Sequence, residues 1–150
     1  MKEVKFRIWD KNKKIMYMAR NITWAPQGLS PFICSLGGKP IREDEQEKLF
    51  HERENPNYMN LYTGECELLQ FTERLDYDGK EIFEGDIVKC GEETGEVQYN
   101  KDSAAFIILW YPNDNRKKSG ADNLGSTQPS PLKYVVGNIY ENPELVPKSL

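Results

Sequence analysis

Few side chains in this sequence could do chemistry, and their spacing gathers none of them. His51 is the only histidine, and there are three cysteines, Cys34, Cys66 and Cys90. Zinc needs several nitrogen or sulfur ligands at short spacing. One histidine and three scattered thiols therefore predict no metal, and leave His51 an ordinary surface residue. No serine or cysteine lies in a motif that supplies a base, and neither a phosphate-binding loop nor a dinucleotide fingerprint occurs. Asp78 and Lys80 have the Asp-x-Lys spacing of metal-dependent nucleases. Such a motif needs a packed strand residue in its middle, and here the middle residue is Gly79, in a turn. Glu43, Asp44, Glu45 and Glu47 are close in sequence, but on a helix such acids fan outward, and no glycine-bearing calcium loop accompanies them. Asp86, in Gly85-Asp86-Ile87-Val88, is read as a carboxylate accepting backbone N–H bonds within its own turn. The expectation is a protein that is not an enzyme, with no catalytic residue, no cofactor and no metal.

One constellation remains. Lys5, Arg7, Trp9, Lys11, Lys13 and Lys14 interleave positive charge with aromatic rings, joined by Phe6, Tyr17, Arg20 and Trp24. Single-stranded nucleic-acid binders combine a positive groove with stacking aromatics on small barrels. Residues 1–20 carry seven basic and two acidic side chains, a charge of +5, so the remaining 130 residues carry −9. Against this stands period-2 alternation, which puts Phe6 inside and Lys5 outside as in any half-buried strand. An overall pI near 5.2 also argues against a dedicated nucleic-acid binder. Lys5, Arg7, Trp9, Lys11, Lys13 and Lys14 thus form a candidate surface for nucleic acid or for a partner.

The elements that would position these residues are mostly strands. Val4, Phe6 and Ile8 alternate with Lys5 and Arg7 over residues 4–9; 10–13 is a polar turn, and 14–18 returns as a second strand. Ile22, Thr23 and Trp24 form a short third strand ended by Pro26. Residues 42–54 are rich in helix formers, with acids early and Arg53 late, and predict a short peripheral helix stopped by Asn55-Pro56. From residue 66 onward short strands alternate with turns. Asp78-Gly79 signals a type I′ hairpin, Glu84-Gly85-Asp86 a second tight turn, and 91–95 a third. Val97 and Tyr99 alternate with polar neighbours, and 105–110 is continuously apolar, as expected of a strand covered on both faces. Residues 111–131 are polar and nearly free of aliphatic side chains, and are read as a flexible loop. Turns at this spacing suggest a small barrel or sandwich.

Several of these blocks resemble the YopX family. They are Phe6-Arg7-Ile8-Trp9-Asp10, then Leu69-Gln70-Phe71-Thr72, then residues 78–88 from Asp78-Gly79-Lys80 to Asp86-Ile87-Val88, and residues 136–145 around Gly137-Asn138-Ile139-Tyr140. They follow the family's order and span nearly the whole chain. The resemblance implies a phage or prophage protein of bacteria with an SH3-like core, and it supplies no catalytic residue to carry over. The family has glycine two residues after Phe71; Glu73 stands there, followed by Arg74, which implies an altered turn.

Length and composition agree with one domain. The chain has 150 residues, 38% of them apolar and 29% charged, and no apolar run long enough to cross a bilayer. The charged, alternating residues 1–20 do not read as a signal peptide, and the odd number of thiols predicts a cytoplasmic protein. The expected fold is mainly β: an SH3-like small β-barrel over residues 66–140, an N-terminal β-hairpin and variable region over 1–65, a peripheral helix and a tail over 141–150. Asp78, Gly79, Gly85 and Asp86 are its structural turns. The expected function is non-catalytic binding of a protein partner, or self-association into an oligomer, with no role at a membrane. The alternatives are single-stranded nucleic-acid binding through the hairpin and, behind it, an unrecognised enzyme.

Overall fold

The computed structural model describes residues 4–24, 32–40, 59–62, 64–113, 120–125 and 133–148. The chain is mainly β, with a curled half-barrel sheet, and its described residues contain no α-helix. The helix expected over 42–54 lies outside the described residues, as do His51, Glu43, Asp44, Glu45 and Glu47. The strands are β1 (Phe6–Asp10), β2 (Ile15–Trp24), β3 (Phe32–Pro40), β4 (Met59–Tyr62), β5 (Cys66–Leu75), β6 (Glu81–Phe83), β7 (Asp86–Cys90), β8 (Glu93–Asn100), β9 (Ala105–Trp110), β10 (Gly120–Asn123) and β11 (Lys133–Asn138). They fall into two compact units, Lys5–Gln70 and Phe71–Leu150 with Met1–Val4, and the chain passes between them inside β5.

In the first unit β1 pairs with β2 as the expected hairpin, with Ile8 opposite Tyr17 and Trp9 opposite Met16. Asp10 closes the turn. Its Oδ1 accepts the N–H groups of Asn12 and Lys13 at 2.9 Å each, and Lys14 takes φ 59°. Ile22, Thr23 and Trp24 are not a separate third strand. They continue β2, which runs on through register shifts between Tyr17 and Asn21 and pairs with β3. No glycine or proline interrupts that stretch, so a bulged strand extends through it.

In the second unit β7, β8 and β9 form a meander flanked by β10 and β11, in the order β10-β9-β8-β7-β11. The core is Ile82, Val88, Cys90, Val97, Ile108, Trp110 and Leu124, with Phe106 and Val135 packed against it. Val88, Gly95 and Trp110 are register partners in adjacent strands, as are Val97 and Ile108, so one face of the sheet carries these apolar residues. Residues 111–131, expected as a loop, contain a strand. Gly120–Asn123 pairs with β9 although its composition is poor for a strand. Tertiary contacts hold it: Trp110 Nε1 donates to Asp122 Oδ2 at 2.6 Å, and Leu124 is buried in the core.

The second half of β5 pairs with β6 across a register shift between Phe71 and Arg74. Glu73, where the resemblance places glycine, takes φ 61°, the left-handed backbone that glycine favours. The turn thus has a backbone that glycine favours, although a glutamate occupies it. Thr72 serves the bulge, donating Oγ1–H to the Ile82 carbonyl at 2.7 Å and accepting the Arg74 N–H at 3.3 Å. Since a left-handed conformation costs a side-chain-bearing residue roughly 1–2 kcal/mol, Glu73→Gly is expected to stabilise the fold by about 1 kcal/mol. Denaturant unfolding checks this, and a lower midpoint for Glu73→Gly would contradict it.

Candidate binding surfaces

The structure separates the six residues of the basic, aromatic constellation. Arg7 and Trp9 are buried, at 7% and 6% exposure, and so are Ile8 and Asp10 on the other face of β1. Alternation predicted one covered face; β1 is covered on both. Trp9 is therefore not an open stacking platform, and Arg7 is not part of a solvent-facing charge stripe. Lys5 is half-buried, while Lys13 and Lys14 project from the turn. Lys11, also on the turn, places Nζ 2.7 Å from Glu67 Oε1. Of the six, the hairpin brings Lys11, Lys13 and Lys14 together on one turn, with Lys11 ion-paired to Glu67.

Asp78 and Gly79 lie at the tip of the β5–β6 hairpin, but the turn is not type I′. Gly79 has φ 84°, whereas Asp78 is absent from the positive-φ residues. The Gly79 N–H bonds to the Asp76 carbonyl at 3.1 Å and the Asp76 N–H to the Lys80 carbonyl at 2.8 Å. This is the three-residue loop in which a left-handed glycine follows an ordinary turn. Its organiser is Asp76, which the sequence reading overlooked. Asp76 Oδ1 accepts from the N–H groups of Asp78 at 2.9 Å and Lys80 at 2.8 Å, and Oδ2 from Val135 at 3.0 Å. Partial burial pushes the Asp76 carboxyl up, but the bonds from Val135, Lys80 and Asp78 and the Lys80 charge outweigh it and hold it below the usual range. The signal was present: an aspartate two residues before Asp78 offers an Asx turn. Asp78-x-Lys80 therefore sits in an exposed loop and not on a strand.

Asp86 is fully buried, and its Oδ2 accepts the Phe83 N–H at 2.8 Å across the turn. Gly85, at φ 80°, donates its N–H to the Val97 carbonyl at 2.8 Å and accepts from Ile139 at 2.9 Å. A Cβ there would meet Tyr140 Cε2 at 3.1 Å. Asn138 closes the following loop: Oδ1 accepts from Tyr140 at 3.1 Å and Glu141 at 2.8 Å, and Nδ2 donates to Glu141 Oε2 at 2.8 Å. The two most distinctive blocks, 78–88 and 136–145, thus interlock through backbone bonds, with their polar side chains used as turn closures.

Of the thiols, Cys66 and Cys90 are buried and in no disulfide, and Cys34 lies on β3. Burial, with Glu93 nearby, pushes the Cys90 thiol up despite Lys133, which favours the unreactive protonated form. Among the described residues no three His, Cys, Asp or Glu side chains gather at one point.

The second unit also exposes large apolar side chains. Leu75 is 58% exposed and Tyr77 64%, both at the β5–β6 hairpin; Val136 on β11 is 44% and Leu145 38%. The ring of Tyr77 meets that of Tyr134 on β11 edge-on, with centroids 5.7 Å apart, and the Tyr77 N–H bonds the Lys133 carbonyl at 2.9 Å. Hairpin tip and β11 therefore present one apolar edge.

A family model described as YopX protein matches residues 5–147. A crystal structure of protein EF1440 from Enterococcus faecalis superposes with a TM-score of 0.58 at 25% identity, covering 98% of this chain and 100% of that one. No curated protein matches the chain.

Proposed function

We propose that this chain, which belongs to the YopX family, is a non-catalytic module that binds a protein partner through the edge formed by the β5–β6 hairpin tip and β11. A second copy of the chain is the alternative partner, meeting these exposed side chains and not the β11 backbone. The observation that carries the reading is the exposure of Leu75, Tyr77, Val136 and Leu145 on the second unit, while Trp9 of the basic hairpin is buried. Exposed aromatic and aliphatic side chains at one edge suit the dry centre of a protein contact. We read residues 66–140 as an SH3-like small barrel; the short antiparallel strands and the hairpin tip bonded to β11 support that reading. The setting is a phage or prophage protein acting in the cytoplasm of its bacterial host.

Single-stranded nucleic-acid binding is the second reading, favoured by the exposure of Lys13 and Lys14 beside Lys11 on one turn. With Trp9 buried, these lysines offer counterion release, a slope of about −0.7 per phosphate contact in log affinity against log salt. Fluorescence titration with labelled oligonucleotides separates the two readings. The expected result is weak binding at low salt that vanishes near physiological salt. Micromolar or tighter binding at physiological salt, lost in Lys11→Glu/Lys13→Glu/Lys14→Glu, would overturn the protein-partner reading.

A further inference from the structure

We propose that Asp76 is a latch that keeps the outer edge of β11 from pairing with β11 of a second copy. β11 is the last strand in the order β10-β9-β8-β7-β11, so one of its sides faces away from β7. In an antiparallel ladder every second residue turns its N–H and C=O outward. Lys133 and Val135 share that parity, and both use an outward group on the hairpin tip. The Lys133 carbonyl accepts from the Tyr77 N–H at 2.9 Å, and the Val135 N–H donates to Asp76 Oδ2 at 3.0 Å. Asp76 Oδ1 meanwhile holds the loop itself through Asp78 and Lys80. One side chain therefore shapes the tip and ties it to the strand edge.

An uncovered edge is a template for strand addition, and this one is self-complementary. Two β11 strands related by a two-fold axis through Tyr134 would set Lys133 of one copy opposite Val135 of the other. Each Val135 N–H would then donate to the other copy's Lys133 carbonyl, replacing both bonds now made by the tip. Tyr134, Val135 and Val136 are residue types that favour strands, and Val136 is exposed. The inference does not rest on the protein-partner reading, since it concerns backbone groups and not the apolar side chains around them.

Sedimentation velocity of the full chain over a range of concentrations tests it. Asp76→Asn keeps an oxygen for Asp78 and Lys80 but turns an amide donor toward the Val135 N–H. Its mean mass is expected to rise with concentration above that of the wild type, toward twice 17.4 kDa if the wild type is a monomer. Adding Val135→Pro, which removes an outward N–H and no β7 ladder bond, is expected to abolish the rise. Asp76→Ala should behave as Asp76→Asn; where it fails to fold, judged by near-UV circular dichroism, Asp76→Asn decides. A folded Asp76→Asn that sediments as the wild type does, or a mass increase that survives Val135→Pro, would overturn the latch.

Discussion

Gly95→Ala is expected to lower the melting temperature by roughly 6–12 °C, the shift of about 3 kcal/mol for a domain of this size. Gly95 lies on β8 opposite Val88 on one side and Trp110 on the other. A Cβ there would stand 2.7 Å from Ile108 Cγ2, 2.8 Å from the Leu109 carbonyl oxygen and 2.9 Å from Trp110 Cε3. Ile108 and Trp110 are core residues at 0% and 3% exposure, and the carbonyl belongs to the β9 ladder, so no flexible side-chain end can move aside. The glycine makes room for the Trp110 indole, whose Nε1 then reaches Asp122 and fastens β10. Losing that seat should loosen β10 as well, seen as faster amide exchange at Leu124, whose N–H bonds the Phe106 carbonyl. A melting temperature within about 2 °C of the wild type would show that the sheet yields without strain.

Asp86→Ala is expected to cost roughly 2–3 kcal/mol, the scale of a buried hydrogen bond to a charged acceptor with its donor left orphaned. The carboxylate is fully buried and accepts the Phe83 N–H, and Phe83 is itself buried. Asp86→Asn keeps one acceptor oxygen and should recover about half of the loss. The comparison separates a turn-closing carboxylate from a reactive one. A catalytic acid would be dispensable for folding, so unchanged unfolding midpoints in both variants would reopen the enzymatic reading of Gly85-Asp86-Ile87-Val88.

Much of the fold was legible because its signals are local. Alternation from Val4 to Ile8 located the β1–β2 hairpin, and glycine at 79 and 85 located two turns where φ is positive. The misses arise where distant residues decide. Whether β1 is covered on one face or both depends on what packs over Arg7 and Trp9, and period-2 patterning is silent on that. β10 has no propensity of its own and exists through Trp110 and Leu124. Asp78-Gly79 alone points to a two-residue type I′ turn, but the bonds that control this turn come from Asp76. The candidate binding edge was hidden for the same reason: Tyr77 and Tyr134 are far apart in the chain and meet only in the folded unit.

Capture from lysates of cells that express the protein tests the protein-binding claim most directly, using immobilised wild type beside the folded variant Leu75→Ser/Tyr77→Ser. Both side chains are exposed and the substitutions leave the Tyr77 N–H in place, so the fold should persist. The account predicts a discrete protein that is retained after nuclease treatment of the lysate and lost, by tenfold or more, on the variant, about 1.4 kcal/mol of contact energy. Capture that disappears with nuclease, or that is equal on wild type and variant, would contradict it.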